Sequence, residues 1–360
     1  MSPSFQVRFG IIGCASIARK FCRTMNLCPN ATLHGVASRT LAKAQAFATE
    51  NSLPPTTVLY GSYEALLDDP DIDAVYIPLP TSLHLPWAVA TARKKKHVLL
   101  EKPSACNVTE LDQIIFACEE NGVQFMDGTM WVHHPRSQVM ADFFSDPQRF
   151  GQLKSIQTCF NYFFGYDFVE NNIRAQPDLD PLGALSDSGW YCIMACLFTA
   201  NYQLPKFATA LKNPVYNKAG VVISCGASLL WENGALATFN CSFLAHLTMD
   251  FAVVGTNGSL NVTDFVIPYE EKSASLSILS GSNFSELALG WTEKPIEQVV
   301  KTELPQEVFM VKEFSTLVDG IKNHGLSPEK KWPTNTRKTQ LIIDAIAASI
   351  SRGFESVEVY

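Results

Sequence analysis

Short apolar runs alternate with amphipathic stretches from about residue 6 to residue 126. Brief runs rich in Val, Ile and Leu are typical of strands buried on both faces of a sheet, and the longer amphipathic stretches are typical of crossover helices. The pattern therefore predicts βαβ units and a doubly wound parallel sheet. The predicted strands are Val7 to Ile12, Leu33 to Ala37, Val58 to Tyr60, Ala74 to Ile77, His97 to Leu100 and Val123 to Met126.

One helix of this region carries both a start and a stop signal. Asn107 is followed three residues later by Glu110, which is the pattern of a helix cap with an acid that reaches back. Asn121-Gly122 closes the amphipathic run, and a glycine at this place commonly adopts the left-handed conformation that ends a helix. We expect a helix between these two signals.

Beyond about residue 150 the apolar positions recur with period two, which is typical of half-buried strands. Glu232-Asn233-Gly234 separates the runs Val221 to Trp231 and Ala235 to Phe243, and Thr256-Asn257-Gly258 separates a second pair. Asn-Gly favours the two left-handed conformations of a type I′ turn. We therefore predict hairpins of this turn type in a mainly antiparallel sheet.

Two amphipathic helices, at about residues 307–323 and 335–352, complete the pattern. The change of periodicity predicts two domains, residues 1–130 and residues 131–360, of which the second is an α+β domain with a large open sheet. Neither an internal repeat nor a low-complexity segment is visible.

Composition excludes two classes of protein. With 360 residues, 47% hydrophobic and 18% charged, the chain can bury substantial cores, which excludes intrinsic disorder. Lys and Arg number 28 against 35 Asp and Glu, a net charge of -7. Because a basic footprint is needed to hold a phosphate backbone, a nucleic-acid partner is not expected.

Cysteine and histidine usage gives no metal site. The 10 cysteines contain no C-x-x-C pair, and among the histidines only His133-His134 are close in sequence, so no metal is predicted. Cysteines within apolar runs are typical of a reducing compartment. The N-terminal residues resemble a strand rather than a signal peptide, and no apolar stretch approaches a membrane span. We expect a cytoplasmic protein without a membrane partner.

The first predicted strand runs into Gly13-Cys14-Ala15-Ser16-Ile17-Ala18. This segment has the spacing of a dinucleotide-binding turn, with Ala where the second and third glycines normally stand. Its position at the first strand, before a helix whose amides can receive a pyrophosphate, favours cofactor binding. The alternative is an ordinary strand-to-helix turn.

The second predicted strand ends at Ser38-Arg39, without the carboxylate that holds the ribose 2′-hydroxyl of NAD. A guanidinium next to a hydroxyl suits a 2′-phosphate, because Arg offers a planar fork of donors. The residues therefore favour NADP(H) and leave NAD(H) as the second choice. A solvated Arg at a strand end is the alternative.

Two further loops follow strands of the same sheet. Pro80-Thr81-Ser82-Leu83-His84 comes after the fourth strand and Glu101-Lys102-Pro103 after the fifth. Open α/β sheets bind ligands at the carboxyl ends of their strands, so both loops are expected to face one crevice. Taken singly, the first could be a helix start and the second a surface turn.

Taken in order, these segments resemble the glucose-fructose oxidoreductase/inositol dehydrogenase (Gfo/Idh/MocA) family. The resemblance rests on the Gly13 turn, Pro80-x-x-x-His84, His97-Val98-Leu99-Leu100-Glu101-Lys102-Pro103 and Gly183-Ala184-Leu185-x-Asp187-x-Gly189-x-Tyr191, and it covers nearly the whole chain. It implies an N-terminal dinucleotide-binding Rossmann domain and a C-terminal domain for substrate binding and oligomerisation. It also implies that Lys102, before a cis bond to Pro103, lies at the nicotinamide, and that Asp187 and the residue four positions later act on the substrate.

Many members of that family have His where this chain has Tyr191. Tyr191, together with Trp131 and Pro135, is similar to the dimeric dihydrodiol dehydrogenase branch, also described as NADP-dependent D-xylose 1-dehydrogenase. That resemblance implies joint use of Lys102 and Tyr191, a preference for NADP and a dimer. The cofactor-binding residues then expected are Gly13, Ala15, Ser16, Ile17, Ser38, Arg39, Pro80, Thr81, His84, Glu101 and Lys102. The catalytic residues then expected are Lys102, Tyr191 and Asp187, and Trp131, Asp187 and Tyr191 would contact substrate.

Asp187 and Tyr191 are four residues apart in a stretch with a helical pattern, so both side chains lie on one face. A phenol loses its proton near about pH 10, and a neighbouring ammonium group lowers its pKa. Tyr191 is therefore a usable general acid or base for a hydroxyl group. The alternative is a buried aromatic residue, with Asp187 as a helix cap.

We expect an oxidoreductase that transfers a hydride between NADP(H) and a CH–OH or C=O group of a sugar, cyclic polyol or trans-diol. Several polar side chains around one cleft favour a small substrate with several hydroxyl groups. Two alternatives stay open: a reductase of a small dicarbonyl or a specialised-metabolite carbonyl, and a non-catalytic NADP-binding regulatory protein. A homodimer through the C-terminal sheet is the expected assembly.

Overall fold

Six short strands of the N-terminal region form one parallel sheet in the computed structural model, which describes residues 5–360. They are β1 (Val7–Ile12), β2 (Ala31–Ala37), β3 (Val58–Tyr60), β4 (Ala74–Ile77), β5 (His97–Leu100) and β6 (Phe125–Asp127). Their order is β3-β2-β1-β4-β5-β6, so the strand order reverses between β1 and β4. A ligand crevice opens at such a reversal in doubly wound sheets.

Four of the six predicted strands have the predicted bounds; β2 differs at its start, and β6 differs at its start and extends one residue further, to Asp127. β2 begins earlier because Ala31 already pairs with Val7 of β1. β6 begins later because the backbone amides of the two residues before it donate hydrogen bonds outside the strand pairing. The Val123 amide donates to the Cys118 carbonyl at the end of a helix, and the Gln124 amide donates to Nδ1 of His97 at 2.9 Å.

Five helices connect these strands and cover both faces of the sheet. They are α1 (Ser16–Leu27), α2 (Leu41–Glu50), α3 (Tyr63–Leu67), α4 (His84–Arg93) and α5 (Val108–Asn121). On one face Phe21 of α1 stacks on Tyr76 of β4, with ring centroids 3.9 Å apart. On the other face Leu66 and Ile114 belong to a second, fully buried cluster. The prediction of a doubly wound parallel sheet is thus confirmed.

Helix α5 has the predicted ends. The Asn107 side chain accepts a hydrogen bond from the Glu110 amide at 3.0 Å, and Gly122 adopts a left-handed φ of 66°. The Glu110 carboxylate reaches back to the Cys106 amide at 3.2 Å, one residue before the cap. Both helix ends are therefore satisfied by local contacts, as capping rules require.

The remaining strands form one ten-stranded sheet. They are β7 (Leu153–Asn161), β8 (Phe207–Ala210), β9 (Val215–Tyr216), β10 (Val222–Leu230), β11 (Leu236–Ser242), β12 (Phe251–Gly255), β13 (Gly258–Val262), β14 (Ser273–Ser280), β15 (Ile296–Lys301) and β16 (Val357–Glu358). The order is β15-β14-β13-β12-β7-β11-β10-β8-β16, with β9 paired to β10. Among the described strand pairs of this ten-stranded sheet only β7–β11 is parallel, so the predicted mainly antiparallel sheet is confirmed.

The hairpin of β10 and β11 is confirmed, but the predicted type I′ turn is wrong. Gly234 has a φ of 80°, whereas Asn233 does not have the positive φ that such a turn needs. The Gly234 amide donates to the Trp231 carbonyl, and the Asn233 side chain accepts from the Ala235 amide at 3.0 Å. This is a three-residue loop with glycine at its left-handed position. Asn257, in the second predicted turn, also lacks positive φ.

Three helices accompany the large sheet: α6 (Pro135–Phe144), α7 (Tyr166–Asn171) and α8 (Ala184–Thr199). α8 packs across β7, β10 and β11, and all of its residues except Phe198 are buried. Because a helix that is apolar on all sides must be enclosed, α8 is the central helix of this part of the chain.

Two long helices close the chain, α9 (Gln306–His324) and α10 (Lys331–Ser351). α10 starts earlier than predicted, and Trp332 in its first turn is buried in the core that contains Phe9 of β1. The described residues up to His133 form one compact unit with Leu304–Arg337, and His134–Glu303 form the other with Lys338–Tyr360. The chain therefore returns to the first unit after completing most of the second.

No helix among residues 5–360 is both long and apolar enough to cross a membrane.

Candidate active site

The turn between β1 and α1 requires its glycine. Gly13 has a φ of 116°, and a Cβ atom added there would lie 2.7 Å from Cδ2 of Leu79. Ala15, the residue before α1, is extended and provides no side-chain cap for the helix. Amides at such a helix start attract an anion, so Ala15, Ser16 and Ile17 fit the pyrophosphate of a dinucleotide.

Ser38 and Arg39 follow β2 at its carboxyl end. The Ser38 amide donates to the Tyr60 carbonyl at 3.2 Å, and the Ser38 side chain is buried. The Arg39 side chain is exposed. A guanidinium that projects from the end of β2 fits a 2′-phosphate better than a 2′-hydroxyl, since only the phosphate brings charge to it.

The loop after β4 forms a short 3-10 turn over Thr81–Leu83 and continues into α4 at His84. His84 is fully enclosed, and its Nε2 lies 2.8 Å from the Leu79 carbonyl oxygen. Burial lowers the pKa of His84 to about 4. The imidazole is therefore neutral near pH 7 and fixes the chain beside Pro80.

Glu101 shapes the loop that carries Lys102. Its carboxylate is buried and accepts hydrogen bonds from the Tyr76 hydroxyl and from the Lys102 amide, the latter at 3.2 Å. A Cβ atom on Gly128 would lie 2.9 Å from Oε1 of Glu101, so this neighbour must be glycine. The Lys102–Pro103 bond is cis, as the resemblance implies, and the Lys102 side chain is half-buried.

The second unit contains a buried carboxylate with two charged or polar partners. Asp187, on the first turn of α8, accepts a hydrogen bond from the Tyr162 hydroxyl at 2.6 Å and from Nε of Arg174 at 3.1 Å. The negative charge of Asp187 raises the pKa of Arg174. Burial, and next to it the same charge, raises the pKa of Tyr162. Tyr162 therefore stays protonated and Asp187 keeps a fixed orientation.

Tyr191 lies one turn along α8 from Asp187, as the spacing predicts. Its ring is 7% exposed and meets Phe160 of β7 edge to face, with centroids 5.4 Å apart. Packing of this kind fixes the direction of the phenol. The candidate proton donor is thus held by the sheet beneath it.

The backbone just before α8 lies so close to β10 that the residue preceding the helix must be glycine. Gly183 has a φ of 53°, and a Cβ atom there would lie 2.2 Å from the Val222 carbonyl oxygen. Six positions on, a Cβ atom on Gly189 would lie 3.2 Å from Sγ of Cys241. Both glycines let the helix approach β10 and β11, which places Asp187 and Tyr191.

The expected residues fall into two groups. Gly13, Arg39, His84 and Lys102 belong to the first unit, together with Trp131, whose side chain is 1% exposed. Asp187 and Tyr191 belong to the second unit. The individual roles of these residues stay proposals.

Sequence reasoning missed Tyr162 and Arg174, both of which contact Asp187. Tyr162 directly follows the last residue of β7, and Arg174 lies in a short 3-10 turn over Ile173–Ala175. The period-two pattern of β7 indicates a strand but does not show which helix meets its end. The sequence therefore did not show that Tyr162 and Arg174 would contact Asp187, although both residue types were visible in it.

One group of side chains has the geometry of metal ligands. Ligand atoms of His34, Asp69 and Asp71 lie within 4.8 Å of one another. Asp69 already accepts from the Tyr60 hydroxyl and lies 3.1 Å from Nε2 of His34, and Asp71 accepts from Arg8 at 2.6 Å. These contacts account for the cluster, and we assign no ion to it.

All ten cysteines are free thiols. Cys225 and Cys241 face each other across β10 and β11, with their sulfur atoms 3.5 Å apart. Burial raises the pKa of Cys22 and of Cys118 to about 12, which makes these thiols poor nucleophiles.

Comparison with known proteins matches two family models. Residues 7–129 match an oxidoreductase family with an NAD-binding Rossmann fold (GFO/IDH/MocA), and residues 145–261 match a GFO/IDH/MocA C-terminal domain. The chain is 33% identical to D-xylose 1-dehydrogenase (NADP(+)) 2 of Haloferax volcanii over 70% of this chain and 74% of that protein. It is 32% identical to trans-1,2-dihydrobenzene-1,2-diol dehydrogenase of Danio rerio over 71% of this chain and 74% of that protein.

A solved structure shares the fold. The aldose-aldose oxidoreductase from Caulobacter crescentus superimposes with a TM-score of 0.82 at 21% identity, over 98% of this chain and 100% of that chain. The likeness agrees with the parallel sheet and the large second sheet described above.

Proposed function

Since the chain belongs to the GFO/IDH/MocA oxidoreductase family, we propose that it transfers a hydride between NADP(H) and a CH–OH or C=O group of a sugar, cyclic polyol or trans-diol. The observation that carries the proposal is Asp187, held by Tyr162 and Arg174 one helical turn from Tyr191. This arrangement offers a fixed acceptor and a proton donor to a substrate with neighbouring hydroxyl groups.

Arg39 supports the preference for NADP(H). Its exposed guanidinium follows β2 where an NAD-specific fold has a carboxylate. Gly13, Ala15 and the amides of the first turn of α1 would hold the pyrophosphate. A relative from Haloferax volcanii carries NADP(+) in its name, which agrees with this assignment.

In carbonyl reduction, Tyr191 donates its phenolic proton to the carbonyl oxygen, and in alcohol oxidation it removes the hydroxyl proton. Asp187 accepts a hydrogen bond from a second hydroxyl of the substrate and so orients the reacting carbon. Lys102, which the family resemblance places at the nicotinamide, would supply a positive charge that stabilises the developing alkoxide. A bound nicotinamide would supply the hydride chemistry, and the residues named here would hold the substrate and move the proton.

The test is a substrate panel with NADPH fluorescence as the readout. The panel contains D-xylose, an inositol, a cyclic trans-diol and a small dicarbonyl, each in the direction its redox state allows. We expect saturable turnover with at least one hydroxylated substrate. The contrary result is a protein that binds NADPH saturably without turning over any substrate of the panel, and with which a protein partner copurifies. That result would show a regulatory protein and not an enzyme. Turnover of the dicarbonyl alone would show that the substrate is a small carbonyl compound and not a sugar, polyol or diol.

We also propose a homodimer through the large sheet. α8 covers one face of β7 and β11, and the opposite face of the central strands carries mostly short neutral side chains, with the Asp250 carboxylate beside Cys159 as a charged exception. These are Ser155, Gln157, Cys159, Thr238, Asn240, Ala252, Asn261 and Ser277. Interface cores are depleted of charge. With strands about 4.8 Å apart and roughly 17 Å long, nine neighbouring strands present roughly 700 Å², close to the ~800 Å² per partner of a stable complex.

An ordered hairpin at the edge of the same sheet adds apolar surface. Phe284 pairs with Trp291, and the Thr292 amide donates to the Asn283 carbonyl at 2.8 Å. Phe284, Leu287 and Leu289 are exposed by 85%, 99% and 107%. Large apolar side chains held out by hydrogen-bonded backbone favour contact with a second protein surface. A second copy of this chain is the occupant we assign, since this hairpin and the mostly uncharged face belong to one sheet.

A further inference from the structure

The segment between β7 and α8 exposes a cluster of aromatic rings beside Asp187. Phe164 is 71% exposed, Tyr166 77% and Phe163 43%. Phe168, on α7, packs edge to face against Phe164 with centroids 5.5 Å apart. We name these four residues the aromatic shelf. Exposed apolar clusters of this kind mark ligand or partner sites, because leaving them in water is unfavourable.

The aromatic shelf is connected to the candidate site by direct contacts. The ring of Phe164 lies 5.0 Å from that of Tyr162, tilted by 38°. Tyr162 donates to Asp187 at 2.6 Å. Only one side chain therefore separates the exposed ring from the carboxylate that we propose to hold a substrate hydroxyl. A ligand longer than a bare sugar would reach both.

Packing holds the inner side of the shelf in place. Phe168 meets Tyr162 at 5.7 Å and Phe243 at 5.6 Å, both edge to face. Gly165, between the two most exposed rings, has a φ of 94° and open space where a Cβ would lie. The left-handed turn at Gly165 sets Phe164 and Tyr166 on the surface, and Phe168 supports Phe164 from below. The rings are thus positioned before any ligand arrives, which reduces the entropy lost on binding.

Charge next to the shelf restricts the ligand further. Asp167 and Glu170 lie on α7 with the shelf residue Phe168, whereas Arg174 is paired with Asp187. Two carboxylates beside the rings disfavour a phosphate or a carboxylate on the ligand. The shelf therefore suits an uncharged ring better than a nucleotide.

We propose that the aromatic shelf binds an uncharged aryl group of the substrate, so that the enzyme acts on hydroxylated compounds with an aromatic substituent, such as aryl glycosides. The proposal rests on the proposed function only in that the reacting carbon lies near Asp187 and Tyr191. Ring contacts with Phe164 and Tyr166 supply the added affinity, and Asp187 selects the hydroxyl.

The test compares phenyl and methyl β-D-xylopyranoside as probes of the protein saturated with NADP+. Dissociation constants come from calorimetry, and rates come from NADPH formation. The wild type is expected to bind the phenyl probe about tenfold more tightly, the effect of one well-placed aromatic contact. Phe164→Ala should remove most of this preference and Phe164→Leu about half of it. Phe116→Ala, which removes a 59% exposed ring on α5 outside the shelf, should leave the preference intact.

Equal affinity for the two probes in the wild type, no measurable binding of the phenyl probe, or a preference that survives Phe164→Ala would each overturn the aryl subsite. The two proposals fail differently. Tight phenyl binding without NADPH formation from any panel substrate removes the proposed reaction and keeps the subsite. Turnover without a phenyl preference removes the subsite and keeps the reaction. Because Phe164 is exposed, urea denaturation of the variant should match that of the wild type.

Discussion

Two tyrosines lie near Asp187, and their surroundings divide the roles between them. Tyr162 donates to the carboxylate, and burial together with that charge raises its pKa. A phenol bound in this way cannot give up its proton in the working pH range. Tyr191 packs on Phe160 one turn further along α8. Tyr191 is therefore the proton donor in our proposal, and Tyr162 positions Asp187.

Replacing Tyr191 by Phe removes only the hydroxyl and keeps the ring on Phe160. Proton transfer by a positioned side chain contributes roughly 10² to 10⁴ in rate, so kcat should fall by that order in the direction of carbonyl reduction. NADPH affinity, measured by fluorescence titration, should stay unchanged. The matched variant Tyr162→Phe should mainly raise KM, because it loosens Asp187. If the Tyr191→Phe enzyme keeps most of its kcat, a group other than Tyr191 donates the proton.

In our proposal, Arg39 decides between the two cofactors. Arg39→Ala should weaken NADPH binding by about 1.5 kcal/mol, the lower end for a hydrogen bond to a charged group, because the side chain is exposed and screened. NADH binding should not change, since NADH has no 2′-phosphate. Fluorescence titration of both cofactors measures the difference. Arg93→Ala, at the end of α4, is the control, and equal losses for both cofactors would contradict the assignment.

At the scale of elements, the start of α8 determines where Asp187 and Tyr191, the residues that we propose to contact substrate, are placed. α8 is enclosed by β7, β10 and β11, and its first turn is fixed by the approach of Gly183 to the Val222 carbonyl. Asp187 donates its backbone amide to the Gly183 carbonyl at 2.9 Å. A shift of this turn therefore moves the carboxylate directly.

Gly183→Ala should destabilise the protein and impair the site together. The left-handed backbone alone costs an alanine about 1 kcal/mol, and contact with the Val222 oxygen adds a clash that must move α8 or β10. Gly220→Ala is the matched control, because Gly220 has a φ of 83° with nothing within 4 Å of its Cβ position. Urea denaturation should show a larger loss for Gly183→Ala, and only that variant should lose affinity for the polyol substrate. Equal losses would show that the close approach is unimportant.

At the scale of the whole molecule, buried histidines couple stability to pH. Burial lowers the pKa of His84 and of His97 from the ordinary 6.5 to about 4. Nδ1 of His97 accepts a hydrogen bond from the Gln124 amide, which requires the unprotonated ring. Between these pKa values the unfolded chain binds more protons than the folded protein does. The stability is therefore complete above pH 6.5 and is lost as the pH falls toward 4.

Lowering the pH from 7 to 5 should cost about 2 kcal/mol for each of these two histidines, at 1.36 kcal/mol per pKa unit. His97→Gln should flatten this dependence by about a third, because the amide oxygen of Gln can accept from Gln124 without titrating, whereas His84 and the similarly shifted His134 still titrate. Urea denaturation at pH 5, 6 and 7 measures the slope. An unchanged slope in the variant would assign the pH dependence to other groups.

The mostly uncharged face of the large sheet predicts the assembly. Sedimentation equilibrium should give twice the 39.7 kDa mass of the chain. Asn240→Arg brings a charge into the centre of that face and should shift the protein to the monomer, because an unpaired buried charge is costly. Gln113→Arg, an exposed position on α5, should leave the dimer intact. A wild-type monomer, or a dimer that survives Asn240→Arg, would exclude this interface.

The sequence by itself determined the elements whose signals are local. Strands buried on both faces show as apolar runs, and the cap of α5 lies within a few residues of the helix that it starts. The Gly13 turn, the Lys102 loop and the spacing of Asp187 and Tyr191 are likewise contained in short segments. The sequence did not determine the turn type, because Asn-Gly occurs both in type I′ turns and in three-residue loops.

Only the tertiary structure decided which distant residues meet. Tyr162 and Arg174 lie 25 and 13 positions before Asp187, and nothing local in either segment indicates that contact. The exposure of Phe164 and Tyr166 also depends on how α7 packs, since the same aromatic run could have been core. Local signals fix the backbone of each element, whereas the environment of a side chain is set by the elements that pack around it. For this reason the sequence predicted Asp187 and Tyr191 as a pair, and the fold added Tyr162 and Arg174 as partners of Asp187 and the aromatic shelf beside them.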